Sequence, residues 1–310
     1  MALHRLTRVT IGVPDVAATA EYYADFGLDP AAGPGGASFR TADGGEQLRL
    51  VAAPRRRLVE LRMGADDPDD LARIAAGLAR LDVPAQLDAT TLTARDAGTE
   101  VTVVVEIATR LDQPETPPPP YNSPGHIGRA NVRAPGVLRE DPVRPRKLGH
   151  VVLGSTDQER SQRFFTAGLG FKVSDTVPGL AAFLRCSTDH HNVLVQQAPL
   201  AFLHHTSWQV NDVDEVGRGA SAMLAKDPAR HVWGLGRHHV GSNFFWYLRD
   251  PAGNFSEYYS DLDCIVDDAL WTPRTWEGAR GLYSWGPPPP PSFLAPEDLA
   301  ALMTGAHAPD

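Results

Sequence analysis

The chain has 310 residues, 42% of them apolar and 22% charged, the profile of a soluble globular protein with room for one large domain or two ordinary ones. A net charge of −9 argues against a nucleic-acid surface, and the Arg55-Arg56-Arg57 run is too short to reverse that. Cys186 and Cys264 lie far apart with no CxxC, against a disulfide scaffold or structural zinc; with no apolar leader or membrane-length run, a cytoplasmic protein is expected.

Residues 6–28 predict a short strand, a turn at Pro14-Asp15, an amphipathic helix with Tyr22 and Tyr23 in its core face, and a stop at Gly27. Residues 148–171 repeat that order, with Phe164-Phe165 falling on Tyr22-Tyr23 and His150 on Arg8. Residues 59–71 likewise match 204–216: a strand, then acidic residues at a helix start, where negative charge is favourable. A third match joins Arg95-Asp96-Ala97-Gly98 and its following strand to residues 249–253 and theirs. The chain therefore reads as two similar modules, 1–110 and 147–270, each opening twice with strand, turn and helix. Between them, 111–146 contains Pro117 to Pro120 and reads as an extended linker. In the tail, 271–310, the run Pro287 to Pro291 forbids regular structure, and a short helix is expected only at 296–303.

Eight of the 11 histidines fall in the second module: His150, His190, His191, His204, His205, His231, His238 and His239. A single histidine is usually a satisfied polar residue, and His231 reads as a surface one. Residues 244–261 read as a hairpin closed by Asp250-Pro251-Ala252-Gly253, a type I turn followed by a left-handed Gly. That register puts Tyr247 opposite Glu257, a carboxylate among aromatics that needs a partner. His150 opens one half of the module, His205 follows 55 residues later at the equivalent strand, and Glu257 lies 52 residues further on. Two imidazoles and one carboxylate leave three open positions on a divalent metal, the facial arrangement of non-haem Fe(II), and the set holds no Cys.

The second module resembles the type I extradiol ring-cleavage dioxygenases of the vicinal oxygen chelate superfamily. The likeness is carried by LGHVVL (148–153), FFTAGLGFKVSD (164–175), LRCSTDHHNVLV (184–195), LHHTSWQVNDVDEV (203–216), GRHH (236–239), the hairpin 244–261 and YSWGPP (283–288). It implies an α+β fold of two vicinal oxygen chelate modules, each of two βαβββ units forming a cupped mixed sheet. It implies metal ligands at His150, His205 and Glu257, holding Fe(II) or Mn(II). His191 matches the active-site acid/base, and His238 and Tyr247 match residues that bond the substrate's oxygens. His190 and His204 are expected to turn away, His204 by period-two alternation. The first module carries Arg8, Glu60 and Thr102 at the ligand positions and is expected to be metal-free. Gly241 stands where many members have a carboxylate, which bears on the substrate.

The implied reaction opens a catechol-type ring with O2, with Phe245, Trp246 and Tyr259 as an aromatic pocket wall. His191 or Tyr247 is the expected base. A homo-oligomer is expected, as is common for such folds. Two other readings stay open: an O2-independent metal isomerase or lyase on the same scaffold, and a protein that binds an aromatic ligand without turning it over.

Overall fold

The computed structural model describes residues 2–33, 35–277 and 282–294; the helix expected at 296–303 lies outside the described residues. The first sheet is built from β1 (Leu3–Val13), β2 (Asp29–Ala31), β3 (Ala37–Thr41), β4 (Gly45–Ala52), β5 (Arg57–Ala65), β6 (Ala85–Leu87), β7 (Thr91–Arg95) and β8 (Thr102–Ile107). Helix α1 (Val16–Asp25) follows β1 and α2 (Pro68–Ala79) follows β5. Each starts at an aspartate, Asp15 or Asp67, whose side chain accepts a backbone N–H of the first turn. The linker adds one short helical turn, α3 (Pro135–Leu138).

The second sheet comprises β9 (Lys147–Ser155), β10 (Lys172–Val177), β11 (Ala181–Arg185), β12 (Val193–Gln197), β13 (Phe202–Gln209), β14 (His231–Arg237), β15 (Phe244–Arg249), β16 (Phe255–Ser260) and β17 (Arg274–Thr275). Helices α4 (Gln158–Arg163) and α5 (Val213–Lys226) follow β9 and β13. The strand orders are β2-β3-β4-β1-β5-β8-β7-β6 and, read from its far edge, β17-β10-β11-β12-β9-β13-β16-β15-β14. Apart from β17 the two orders superpose, so each sheet is a pair of βαβββ units joined through their first strands, and the chain is α+β with mixed sheets. Hydrophobic side chains of both modules form one continuous core.

Two features depart from expectation. The helix after β9 widens into a π turn at Phe164–Gly168, with Leu169 N–H bonded to Phe164 O at 3.0 Å. The wider turn buries Phe164 and Phe165 together and lies against α2, where a Cβ on Gly77 would sit 2.4 Å from the Gly168 carbonyl oxygen. The tail is also more regular than its prolines suggest. Thr275 and Arg274 form β17 against β10, and α6 (Pro291–Leu294) begins on a proline, where no N–H donor is needed. The tail is sewn to the second sheet by Trp271 Nε1 to Ser174 O at 2.9 Å and Trp233 Nε1 to Pro287 O at 2.7 Å.

The modules meet along β16. Its even-numbered residues face the first module: Ser256 Oγ lies 2.5 Å from Tyr22 Oη, and the Tyr258 ring stacks on Phe26 at 3.8 Å. Tyr258 also donates its hydroxyl to the Phe26 carbonyl at 2.6 Å. By alternation its odd-numbered residues, Glu257 among them, face the other way.

Candidate metal centre

Three neighbouring strands present one row of side chains. Glu257 on β16 pairs in register with Ser207 on β13, and Ser207 with His150 on β9. His205, two residues before Ser207, shares its face. Because Ser207 is small, the two imidazoles and the carboxylate converge over it. His150 Nε2 lies 3.2 Å and His205 Nε2 3.6 Å from Glu257 Oε2. All three are buried, and their ligand atoms lie within 4.8 Å of one another.

Glu257 is held from both sides. Ser207 Oγ–H donates to Oε2 at 2.5 Å and Asn243 Nδ2–H to Oε1 at 3.1 Å. Burial by itself would raise its pKa, but bonds to His150 and His238 and the charge of His150 outweigh that, leaving the carboxyl below its ordinary range. His205 Nε2 is buried and has no hydrogen-bond partner. An orphan imidazole nitrogen beside a buried carboxylate and a second imidazole is the donor set of a divalent cation, and the residues fit one.

Around this point lie His191, with its ring 4.1 Å from that of His150, and His238, whose Nε2 is 2.8 Å from Tyr247 Oη. Tyr247 lies opposite Glu257 across the β15–β16 hairpin, whose turn closes with Gly253 N–H bonded to Asp250 O at 2.9 Å and Gly253 at φ +91. His150, His191, His205, His238 and Tyr247 share one cavity with Val152, Phe183, Leu194, Gln196, His204, Val240, Leu282 and Phe293. A larger groove of about 530 Å³ runs between residues 81–84, 95–97 and 157–164, but it contains no histidine, whereas five line the smaller cavity.

Metapyrocatechase 2 of Cupriavidus necator is 32% identical over 303 residues, covering 94% of this chain and 92% of that protein. Residues 147–258 match the family model described as Glyoxalase/Bleomycin resistance protein/Dioxygenase superfamily. The chain belongs to this superfamily. The Mn(II)-bound glyoxalase from Novosphingobium aromaticivorans superposes with a TM-score of 0.76 at 26% identity, covering 94% of each chain. An iron-dependent extradiol dioxygenase of Rhodococcus jostii is 29% identical over 154 residues, 45% of this chain and 50% of that one.

The structure departs from several expectations at this site. His204 does not turn away. A bulge between Leu203 and His205 breaks the alternation, and His204 lines the cavity with its Nδ1 2.7 Å from His205 Nδ1. His190, by contrast, does stay out of the cavity: it is absent from the lining, and its Nε2 meets Asp175 Oδ2 at 3.3 Å while its Nδ1 lies 3.1 Å from His191 Nδ1. The aromatic wall is Phe183, Tyr247 and Phe293 instead of Phe245, Trp246 and Tyr259. Phe245 lies under His238 at 4.1 Å, Trp246 faces the opposite side against His231, and Tyr259 is fully buried behind His150. Burial, then the charge of Glu257, raises the Tyr247 pKa well above 10.0, which favours its hydroxyl form. His231 is exposed on β14, as expected.

The first module fills its corresponding region with ion pairs. Arg62 meets Glu60 at 2.6 Å and Glu106 at 2.8 Å, and Arg8 meets Glu46 at 3.3 Å and Glu60 at 3.7 Å. Among the described residues His150, His205 and Glu257 are the one cluster with metal-ligand geometry. Gly241, at φ +85, backs the histidine pair, where a Cβ would lie 3.4 Å from His191 Cε1.

Sequence reasoning missed Ser207, Asn243, Phe183, Leu282 and Phe293. Only Ser207 carried a signal, its place two residues after His205 on one strand face.

The metal-free protein is expected to lose stability as pH falls from 7 to 5. Burial lowers the pKa of His191, His204 and His205, that of His204 from 6.5 to about 4. The unfolded chain therefore binds protons first on acidification, and the shift of His204 alone costs about 2 kcal/mol by pH 5. Asp250 opposes this: burial raises it to about 6, and it returns about 1 kcal/mol over the same interval. Thermal melts of chelator-treated protein between pH 5 and 7 measure the balance; a flat or rising Tm on acidification contradicts the assignment.

Proposed function

We propose that the chain is an extradiol ring-cleavage dioxygenase that opens a catechol-type aromatic diol with O2. The observation that carries this is the buried His150/His205/Glu257 set opening into an aromatic-walled cavity with His191, His238 and Tyr247 at its rim. The identity of 32% across nearly the whole length of a metapyrocatechase supports it. His150, His205 and Glu257 would hold the metal, Fe(II) in this reading with Mn(II) as the substitute. Bound there, a divalent metal supplies Lewis acidity toward both diol oxygens and the redox chemistry that engages O2.

The chain's own residues manage protons and position. His191 is neutral, because burial and then the neighbouring histidines lower its pKa well below 6.5, and it is placed to take a proton from the diol and return it later. His238 donates Nδ1–H to the Leu282 carbonyl at 2.6 Å, and its Nε2 lies 2.8 Å from the Tyr247 hydroxyl. That pair fixes one edge of the substrate. Phe183 and Phe293 line the cavity and offer apolar faces to a flat ring.

The likeness to a Mn(II)-bound glyoxalase favours an O2-independent isomerase as the second reading. Such chemistry calls for a carboxylate base, and among the described residues the cavity lining has none. The deciding assay loads the protein anaerobically with Fe(II), and separately with Mn(II), and follows O2 uptake and visible absorbance across a panel of catechols. Bound metal with neither O2 consumption nor a coloured product for any catechol would sink the dioxygenase reading. A cytoplasmic homo-oligomer belongs to the same proposal. Two free cysteines support the location, and sedimentation velocity measures the assembly.

A further inference from the structure

The C-terminal segment reaches the metal centre through one backbone atom. The Phe293 carbonyl oxygen lies 2.7 Å from His204 Nε2, and His204 Nδ1 lies 2.7 Å from His205 Nδ1. A carbonyl only accepts, so Nε2 of His204 must carry a hydrogen. His204 is buried, and its two ring nitrogens meet only a carbonyl oxygen and another imidazole, with no carboxylate bonded to hold a charge, so the site accommodates the neutral ring. A neutral imidazole has one N–H, so its Nδ1 is bare and can only accept. The hydrogen between the two rings therefore sits on His205 Nδ1, and His205 Nε2 is left as a bare lone pair. That is the buried atom without a partner that faces His150 and Glu257.

We propose that His204 is a positioning residue for the ligand His205, and that the Phe293 carbonyl, acting through His204, selects the His205 tautomer that can bind a metal. The proposal rests on the metal reading above and gives the C-terminal segment a role in it. Without the relay, His205 has both tautomers open to it, and one of them buries an N–H where the cation belongs. A side-chain hydrogen bond of this kind orients the ring and raises the basicity of the ligating nitrogen. The strand bulge before His205 is what makes the relay possible, because regular alternation would send the two rings to opposite faces.

Two measurements on the full-length chain test this. Long-range 1H–15N correlation spectra of metal-free, histidine-labelled protein at pH 7.5 read each tautomer directly. The expected result is His204 protonated on Nε2 and His205 on Nδ1; a hydrogen on His205 Nε2 would overturn the proposal. The second is competition of Mn(II) against a chelating dye. His204→Phe should weaken binding by about ten- to hundredfold, while His204→Asn, whose amide oxygen stands in for Nδ1 as acceptor, should bind close to wild type. Unchanged affinity in His204→Phe, or no recovery in His204→Asn, rejects the role. If His204→Phe does not fold, the wild-type spectrum decides alone. A wild-type protein with the expected tautomers and no Mn(II) binding would instead reject the metal reading and leave the relay standing.

Discussion

Glu257→Gln is expected to empty the metal site without unfolding the chain. The amide has the same shape, and the strand pairing of β16 with β13 and β15 is untouched. What changes is charge and acceptor count. Ser207 and Asn243 both donate into the carboxylate. An amide has one acceptor oxygen, so Asn243 keeps it while Ser207 turns its hydroxyl to accept from the NH2 group, a local cost of about 1 kcal/mol. Metal affinity should fall by more than the roughly hundredfold that a supporting hydrogen bond carries, since an anionic ligand itself is lost. Metal content after desalting and the Tm of the metal-free protein separate the two effects. Wild-type metal content in a folded Glu257→Gln protein would remove Glu257 from the ligand set.

The second large effect is expected at His191. Its ring lies against His150 and faces the cavity, but nothing in the geometry makes it a ligand. His191→Asn should therefore keep its metal and bind catechols with little change in KM. The turnover number should fall by about 10²–10⁴, the usual contribution of a positioned acid/base. The acidic limb of the wild-type kcat profile should lie below the ordinary histidine range, because burial pushes this imidazole down. In His191→Asn that limb should disappear. A variant that loses metal, or one that turns over at the wild-type rate, contradicts the role.

How much of this was legible in the sequence depends on the range of the interaction. The DPAG turn is local chemistry, and it placed Tyr247 across from Glu257 because a tight turn leaves the register no freedom. The duplicated strand-turn-helix openings led to two sheets with one strand order, since each opening begins a βαβββ unit. Alternation failed at His204, where a single bulged residue reverses the face of everything beyond it. The aromatic wall was misread for a related reason. Phe245 and Tyr259 share the inward parity of Tyr247 and Glu257, yet neither reaches the cavity: Phe245 is covered by His238, and Tyr259 is fully buried behind His150. Phe293 and Leu282 reach the cavity from a segment beyond the last long strand, and no periodicity announces such a contact.

The two faces of β16 bear on what evolution can discard. One residue carries the candidate anionic ligand while its immediate neighbours, Ser256 and Tyr258, are bonded to Tyr22 and Phe26 of the half that has no ligand set. Cutting the second module free is expected to destabilise it. Excision would strip the stacked Phe26 ring from Tyr258 and leave an aromatic, half-polar strand face open to water directly behind Glu257. The first module thus covers one strand face of the second, and a change at Tyr22 on its first helix is expected to be felt at Glu257 through β16.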